Sequence, residues 1–191
     1  MARPREFDRD AVLEQALQLF WSRGYEVTSM ADLVEHLGVG RQSLYDTFGD
    51  KRALYLQALD RYKQAHGLPM PLLDGRPLRV GLRLLLSSAV DWLHDVTGGR
   101  GCMLVHAMTE RGADDPEIRA RFCANSDALV AQLEARLITA RADGELGPHH
   151  DPRALARFLA NTMNGLQLSA RAGLDRAALM QIVDVALMAL G

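Results

Sequence analysis

Four groups of side chains have the types and spacing to do chemistry. Thr97-Gly98-Gly99-Arg100-Gly101 precedes a helix start, where free backbone N–H groups and an arginine suit an anion. Cys102 and His106 stand four apart, one helical turn, which is a spacing used by pairs of metal ligands. His149-His150 puts two imidazoles side by side. Arg41-Gln42-Ser43-Leu44-Tyr45-Asp46-Thr47 gathers a cation, an amide, a phenol, a carboxylate and two hydroxyls, the inventory that contacts base edges and phosphates. The first three groups stop short of a site: a lone glycine-rich loop is usually a plain turn, two ligands do not hold a metal, and the paired histidines lie in a loop without a partner. No nucleophile stands with a base, so the sequence leads us to expect no enzyme, no metal and no cofactor.

The elements that must carry the fourth group are helices. Apolar residues recur at helical spacing along the chain, and no run alternates as a half-buried strand does, so the fold is expected to be all-α. The first helix follows Asp8 as N-cap, with Phe7 and Val12 placed as a hydrophobic staple, and Leu13, Ala16, Leu17 and Phe20 form its stripe before Gly24. A second starts at Thr28-Ser29, has Asp32 in its first turn, turns Met30, Leu33, Val34 and Leu37 inward and stops at Gly38. The third, Arg41 to about Thr47, offers only Leu44 and Phe48 to a core. The fourth runs from Lys51 to about His66 behind Asp50. Two short helices joined by a glycine turn, the second polar on its outer face, are the geometry that seats a helix in the major groove of DNA. Net charge gives no such hint. It is −2 overall, and residues 1 to 63 hold nine basic side chains against ten acidic ones, so any nucleic-acid claim rests on local arrangement.

The segment Thr28-Ser29-Met30-Ala31-Asp32-Leu33 through Gly38-Val39-Gly40-Arg41-Gln42-Ser43-Leu44-Tyr45-Asp46-Thr47-Phe48-Gly49-Asp50-Lys51 resembles the signature of the TetR family of bacterial regulators, most specifically at Leu44-Tyr45, Phe48-Gly49 and Lys51. The resemblance covers residues 7 to about 64 at motif level. It implies a helix-turn-helix domain, double-stranded operator DNA as partner, a homodimer, and a small-molecule effector. Thr28, Ser29, Arg41, Gln42, Ser43, Tyr45, Asp46, Thr47 and Lys51 form the expected DNA-facing set. Within it Gln42 suits adenine N6/N7, Arg41 suits guanine or phosphate, and Tyr45 a phosphate or a base. Lys51 opposes the dipole at its helix start, a conflict a phosphate would relieve. The chain departs from the family pattern in two places. Gly40 stands where a hydroxyl usually caps the recognition helix, and Asp46 replaces a common histidine, where it either accepts from cytosine N4 or is repelled by phosphate.

Pro69, Pro71, Gly75 and Pro77 interrupt the helices after His66 and mark a boundary, giving a DNA-binding domain over residues 1–66 and an effector-binding and dimerisation domain over 67–191. Further helices are expected over Leu78 to Val96, Cys102 to Glu110, Pro116 to Asp143, Pro152 to Ala172 and Arg176 to Leu190, about nine in all. The last is apolar nearly all round and must be buried on two faces, which a second subunit supplies. Phe158, Gly165, Val185 and Met188, with Ala160 as a second small residue, are therefore expected in a dimer interface, and the family resemblance implies a four-helix bundle there. Trp92, Cys102, Met103, His106, Phe122 and Met163 combine bulk with a polar or polarisable handle and are the expected effector-pocket residues. Two cysteines without paired spacing, and no apolar run long enough to span a bilayer, lead us to expect a cytoplasmic protein with no membrane partner. The resulting reading is a repressor released from its operator by a small molecule. The alternatives are an effector-independent DNA-binding protein, or one that responds to oxidants or electrophiles through Cys102 at a helix start beside Arg100.

Overall fold

The computed structural model describes residues 7–190, leaving aside the Val96 side chain; Arg3 and Arg5 lie outside the described residues. Among them are nine α-helices and no strand: α1 (Arg9–Arg23), α2 (Met30–Leu37), α3 (Arg41–Phe48), α4 (Lys51–Ala65), α5 (Leu78–Asp91), α6 (Met103–Arg111), α7 (Pro116–Ala142), α8 (Pro152–Arg171) and α9 (Arg176–Met188). Two short pieces fall outside the expected set. Met70–Leu73 forms a 3-10 turn in the supposedly irregular connection, pinned by Leu73, which is buried against Gly81. The helix expected to reach Val96 as one unit instead ends its α-geometry at Asp91 and closes with a π-turn, Thr97 N donating to Trp92 O at 3.1 Å.

The chain divides into two compact units. One holds α1 to α4, runs to Gly67 and also takes in His106–Ile118; the other is Leu68–Val105 together with the chain from Arg119 onward. A single boundary after residue 66 therefore does not describe the molecule, because the end of α6 and the start of α7 bond to the first unit.

In the first unit α1 lies along α4. Phe20 meets Tyr55 edge to face at 4.9 Å and Trp21 meets Tyr62 at 5.1 Å, burying four aromatic side chains. Arg61 Nε donates to Glu14 Oε2 at 2.6 Å across the same helices, which holds the Glu14 carboxyl below its usual range. Phe7, expected against Val12, has its ring stacked on that of Phe48, centroids 6.5 Å apart. In the second unit, leucines of α5 pack with Leu133 and Leu137 of α7, Leu159 and Met163 of α8, and Val183 and Leu187 of α9.

Candidate nucleic-acid interface

The α2–turn–α3 unit is built from local signals. Ser29 caps α2 through a full capping box: its Oγ accepts from Asp32 N at 3.1 Å while Ser29 N donates to Asp32 Oδ2 at 2.8 Å. The Ser29 hydroxyl also donates to that carboxylate and is the main reason the Asp32 carboxyl titrates below its usual range. Gly38, at φ 64°, closes α2 in the left-handed conformation that lets the chain turn into α3. Gly40 then caps α3 without a side-chain hydrogen bond.

On α3, Leu44 and Phe48 are buried, and Arg41, Gln42, Tyr45 and Asp46 are exposed, with Ser43 and Thr47 half-buried at the flanks. The buried pair fixes which side of the helix faces outward. That side carries a guanidinium, an amide, a phenol and a carboxylate within two turns. Gln42 Nε2 donates to Asp46 Oδ1 at 2.8 Å along it.

Two residues expected at DNA have partners inside the protein. Thr28 is fully buried and its Oγ1 donates to Gly24 O at 2.6 Å, so it shapes the turn and is closed to a ligand. Lys51 is half-buried and has internal partners: Nζ donates to Tyr25 O and to Thr28 O, both at 2.8 Å, and sits 4.0 Å from the centre of the Tyr25 ring. The dipole conflict at the start of α4 is thus met by carbonyls of the α1–α2 turn.

That turn is gripped from a third side. Glu110 accepts from Tyr25 N (Oε2, 3.0 Å) and Glu26 N (Oε1, 2.9 Å), and Arg111 Nη1 pairs with Glu26 Oε1 at 2.5 Å. Gly24 is needed here, for at φ 94° a Cβ would lie 2.9 Å from Glu110 Oε1. Glu110 and Arg111 were not among the expected site residues; their partners are backbone amides and a glutamate more than 80 positions away, which helical periodicity cannot register.

A cleft of about 500 Å³ lies between α7 and α8, lined by Phe122, Asp127, Glu134, Arg153, Arg157 and Asn161 among others, and only Phe122 of the expected six is part of it. Met103 and Met163 are buried, Met163 among the apolar residues of the second unit's core, and Trp92 is half-buried against that core. Cys102 is half-buried ahead of α6, and His106 belongs to the first unit beside Gly24. Arg153, Arg157 and Asn161 of this cleft stand at successive helical turns, a spacing of polar residues that in a sequence reads as a solvated face.

The glycine-rich loop before α6 is a tight approach to α8. Gly101, at φ 69°, lies so close to Gln167 O that a Cβ would stand 2.8 Å from it, and Arg171 Nη1 donates to Arg100 O at 2.9 Å.

Expected dimer residues divide likewise. Phe158, Gly165, Val185 and Met188 are exposed, Val185 by 64% and Met188 by 68%, whereas Ala160 is buried. Leu179, Val183 and Leu187 occupy the opposite, buried side of α9, so the helix is apolar on two faces and covered on one.

Comparison with known proteins places these features in a family. Residues 12–58 match the model described as bacterial regulatory proteins, tetR family, and residues 80–185 match that of the tetracyclin repressor-like C-terminal domain. An uncharacterized HTH-type transcriptional regulator of Bacillus subtilis, YezE, is 35% identical with all of both chains covered. The Escherichia coli HTH-type transcriptional repressor ComR is 32% identical over 97% of this chain and 90% of its own. Among solved structures, a cysteine-substituted form of the TetR family transcriptional regulator CifR, complexed with 26-bp double-strand operator DNA, superposes with a TM-score of 0.83 at 35% identity, covering all of both chains.

Proposed function

Because the chain belongs to the TetR family of bacterial regulatory proteins, we propose that it is a homodimeric, sequence-specific repressor of transcription, released from its operator by a small molecule. The observation that carries this reading is the exposed face of α3. Arg41, Gln42, Tyr45 and Asp46 stand outward on a helix that Leu44 and Phe48 fix in a helix-turn-helix. The complex of the CifR variant with operator DNA and the repressor title of ComR support it. Lys51 and Thr28 serve the interface by shaping the turn that precedes α2.

Dimerisation is supported by the second face of α9. Half of the ten exposed large apolar side chains among the described residues, Phe158, Leu168, Leu174, Val185 and Met188, lie on α8, α9 and the turn between them. Two copies of a helix-turn-helix give two half-sites one helical turn of DNA apart, about 34–36 Å, or a multiple of it.

Release follows as a population shift: an effector that binds one conformation of the second unit better depletes the DNA-competent form. Helix α6 begins among residues of that unit and ends at Glu110 and Arg111, which hold the turn before α2. Selection from random duplex DNA, followed by a metabolite panel screened for thermal shift, tests both halves. The expected result is one palindromic sequence and at least one compound that both raises the melting temperature and lowers operator affinity. Failure to enrich any sequence overturns the repressor reading. Stabilising compounds that leave operator affinity untouched overturn effector release.

A further inference from the structure

Gln42 and Asp46 stand one turn apart on the exposed face of α3, joined by the hydrogen bond from Nε2 to Oδ1 at 2.8 Å. We propose that Asp46 is a positioning residue that determines specificity through Gln42, fixing its amide so that the pair selects adenine and rejects guanine; this rests on the reading of α3 as the base-reading helix. The argument is one of donors and acceptors. An ionised carboxylate has acceptors only, so it takes an amide hydrogen and thereby settles which end of the Gln42 amide is nitrogen and which is oxygen. A lone exposed glutamine leaves both orientations open.

With one Nε2 hydrogen held by Asp46, the groups left for a base are the second Nε2 hydrogen and the lone pairs of Oε1. Adenine presents the matching edge in the major groove, N7 as acceptor and the N6 amino group as donor. Guanine presents N7 and O6, both acceptors, so Oε1 meets O6 lone pair to lone pair. Remove the carboxylate and both Nε2 hydrogens are free, so the amino group can swing round to donate to N7 and O6 of guanine together, and the distinction fades. The reading also gives a reason for a carboxylate on a face that phosphates repel. It differs from a direct contact between Asp46 and cytosine N4, whose effect falls on a base pair other than the one Gln42 reads and does not depend on Gln42.

The test is selected-site binding with the full chain as wild type, Asp46→Ala, Asp46→Asn, Gln42→Ala and the Gln42→Ala/Asp46→Ala double variant. All retain buried Leu44 and Phe48, so α3 keeps its seat. Wild type is expected to prefer adenine over guanine at one half-site position, a preference Gln42→Ala abolishes. Asp46→Ala lowers that adenine-to-guanine ratio about fivefold or more in the wild-type background and leaves it unchanged in the Gln42→Ala background. Asp46→Asn, whose carbonyl still accepts, retains more of the ratio than alanine does. An unchanged ratio in Asp46→Ala overturns the inference. So does an effect that survives in the Gln42→Ala background or falls at another base pair, and so does an asparagine no better than alanine. A wild-type chain that selects no sequence overturns the reading of α3 itself, and the inference with it.

Discussion

Arg52 holds Asp115 by two near-parallel hydrogen bonds, Nε to Oδ2 at 2.7 Å and Nη2 to Oδ1 at 2.8 Å, between residues 63 positions apart. The same carboxylate accepts from Glu117 N at 3.0 Å and Ile118 N at 3.4 Å, so one buried side chain starts α7 and ties it to α4. Both residues lie in the unit that joins residues 106–118 to α1 to α4.

The pair makes stability depend on acid. Hydrogen bonding to Arg52 outweighs the opposing effect of burial and holds the Asp115 carboxyl at about 2, below its ordinary 3.8. A carboxylate whose folded pKa is depressed stabilises above its unfolded value and loses that contribution as pH falls through the folded one. Asp115 therefore contributes fully above about pH 4 and loses its contribution between about pH 4 and 2. Urea unfolding of wild type and Asp115→Asn should show a gap at pH 7 that narrows at pH 2.5; an equal gap at both overturns the assignment. Asp115→Ala, which also removes the cap, should cost at least about 1–2 kcal/mol at pH 7.

Lys51 separates an internal role from a DNA contact. Lys51→Met takes the donor from Tyr25 O and Thr28 O, and should lower stability by about 1–2 kcal/mol and weaken binding to all sequences alike. The dependence of log affinity on log salt should keep its slope. A direct phosphate contact would instead reduce that slope by about 1 and leave stability alone.

Glu110 should control the order of the α1–α2 turn. Truncating it to alanine leaves the amides of Tyr25 and Glu26 without their acceptor, so hydrogen exchange at those two positions should accelerate selectively. Gly24→Ala should act on the same contact from the other side, costing about 1–3 kcal/mol through its positive φ and the 2.9 Å approach to Glu110 Oε1. Unchanged exchange in Glu110→Ala would remove Glu110 from any part in holding the turn.

What the sequence made legible is what local rules decide. Asp8, Ser29 and Asp50 all cap helices in the structure, and the outward face of α3 follows from Leu44 and Phe48 alone. What stayed hidden depends on long-range partners. Two of the three Lys51 ammonium hydrogens go to carbonyls of the α1–α2 turn, and Thr28 looks like a surface hydroxyl until Gly24 O takes its hydrogen. Met103 and Met163 are both buried, and periodicity cannot say in which role: one spacing serves a ligand wall and a core, and only packing tells them apart.

The proposed dimer can be tested at the second face of α9. Val185 and Met188 are exposed by 64% and 68%, while Leu179, Val183 and Leu187 on the other side are buried in the protomer's own core. A charge at Val185 or Met188 therefore leaves the internal core untouched and would burden the proposed contact between copies. Val185→Arg and Met188→Glu should each shift the mass measured by light scattering from dimer to monomer while far-UV circular dichroism stays near wild type. Operator affinity should fall far more than affinity for an isolated half-site, since a monomer engages one recognition helix at a time. Ile182→Arg is the control, because Ile182 packs partly against the core and its substitution should lower helicity as well. Variants at Val185 and Met188 that remain dimeric would place the interface on another surface.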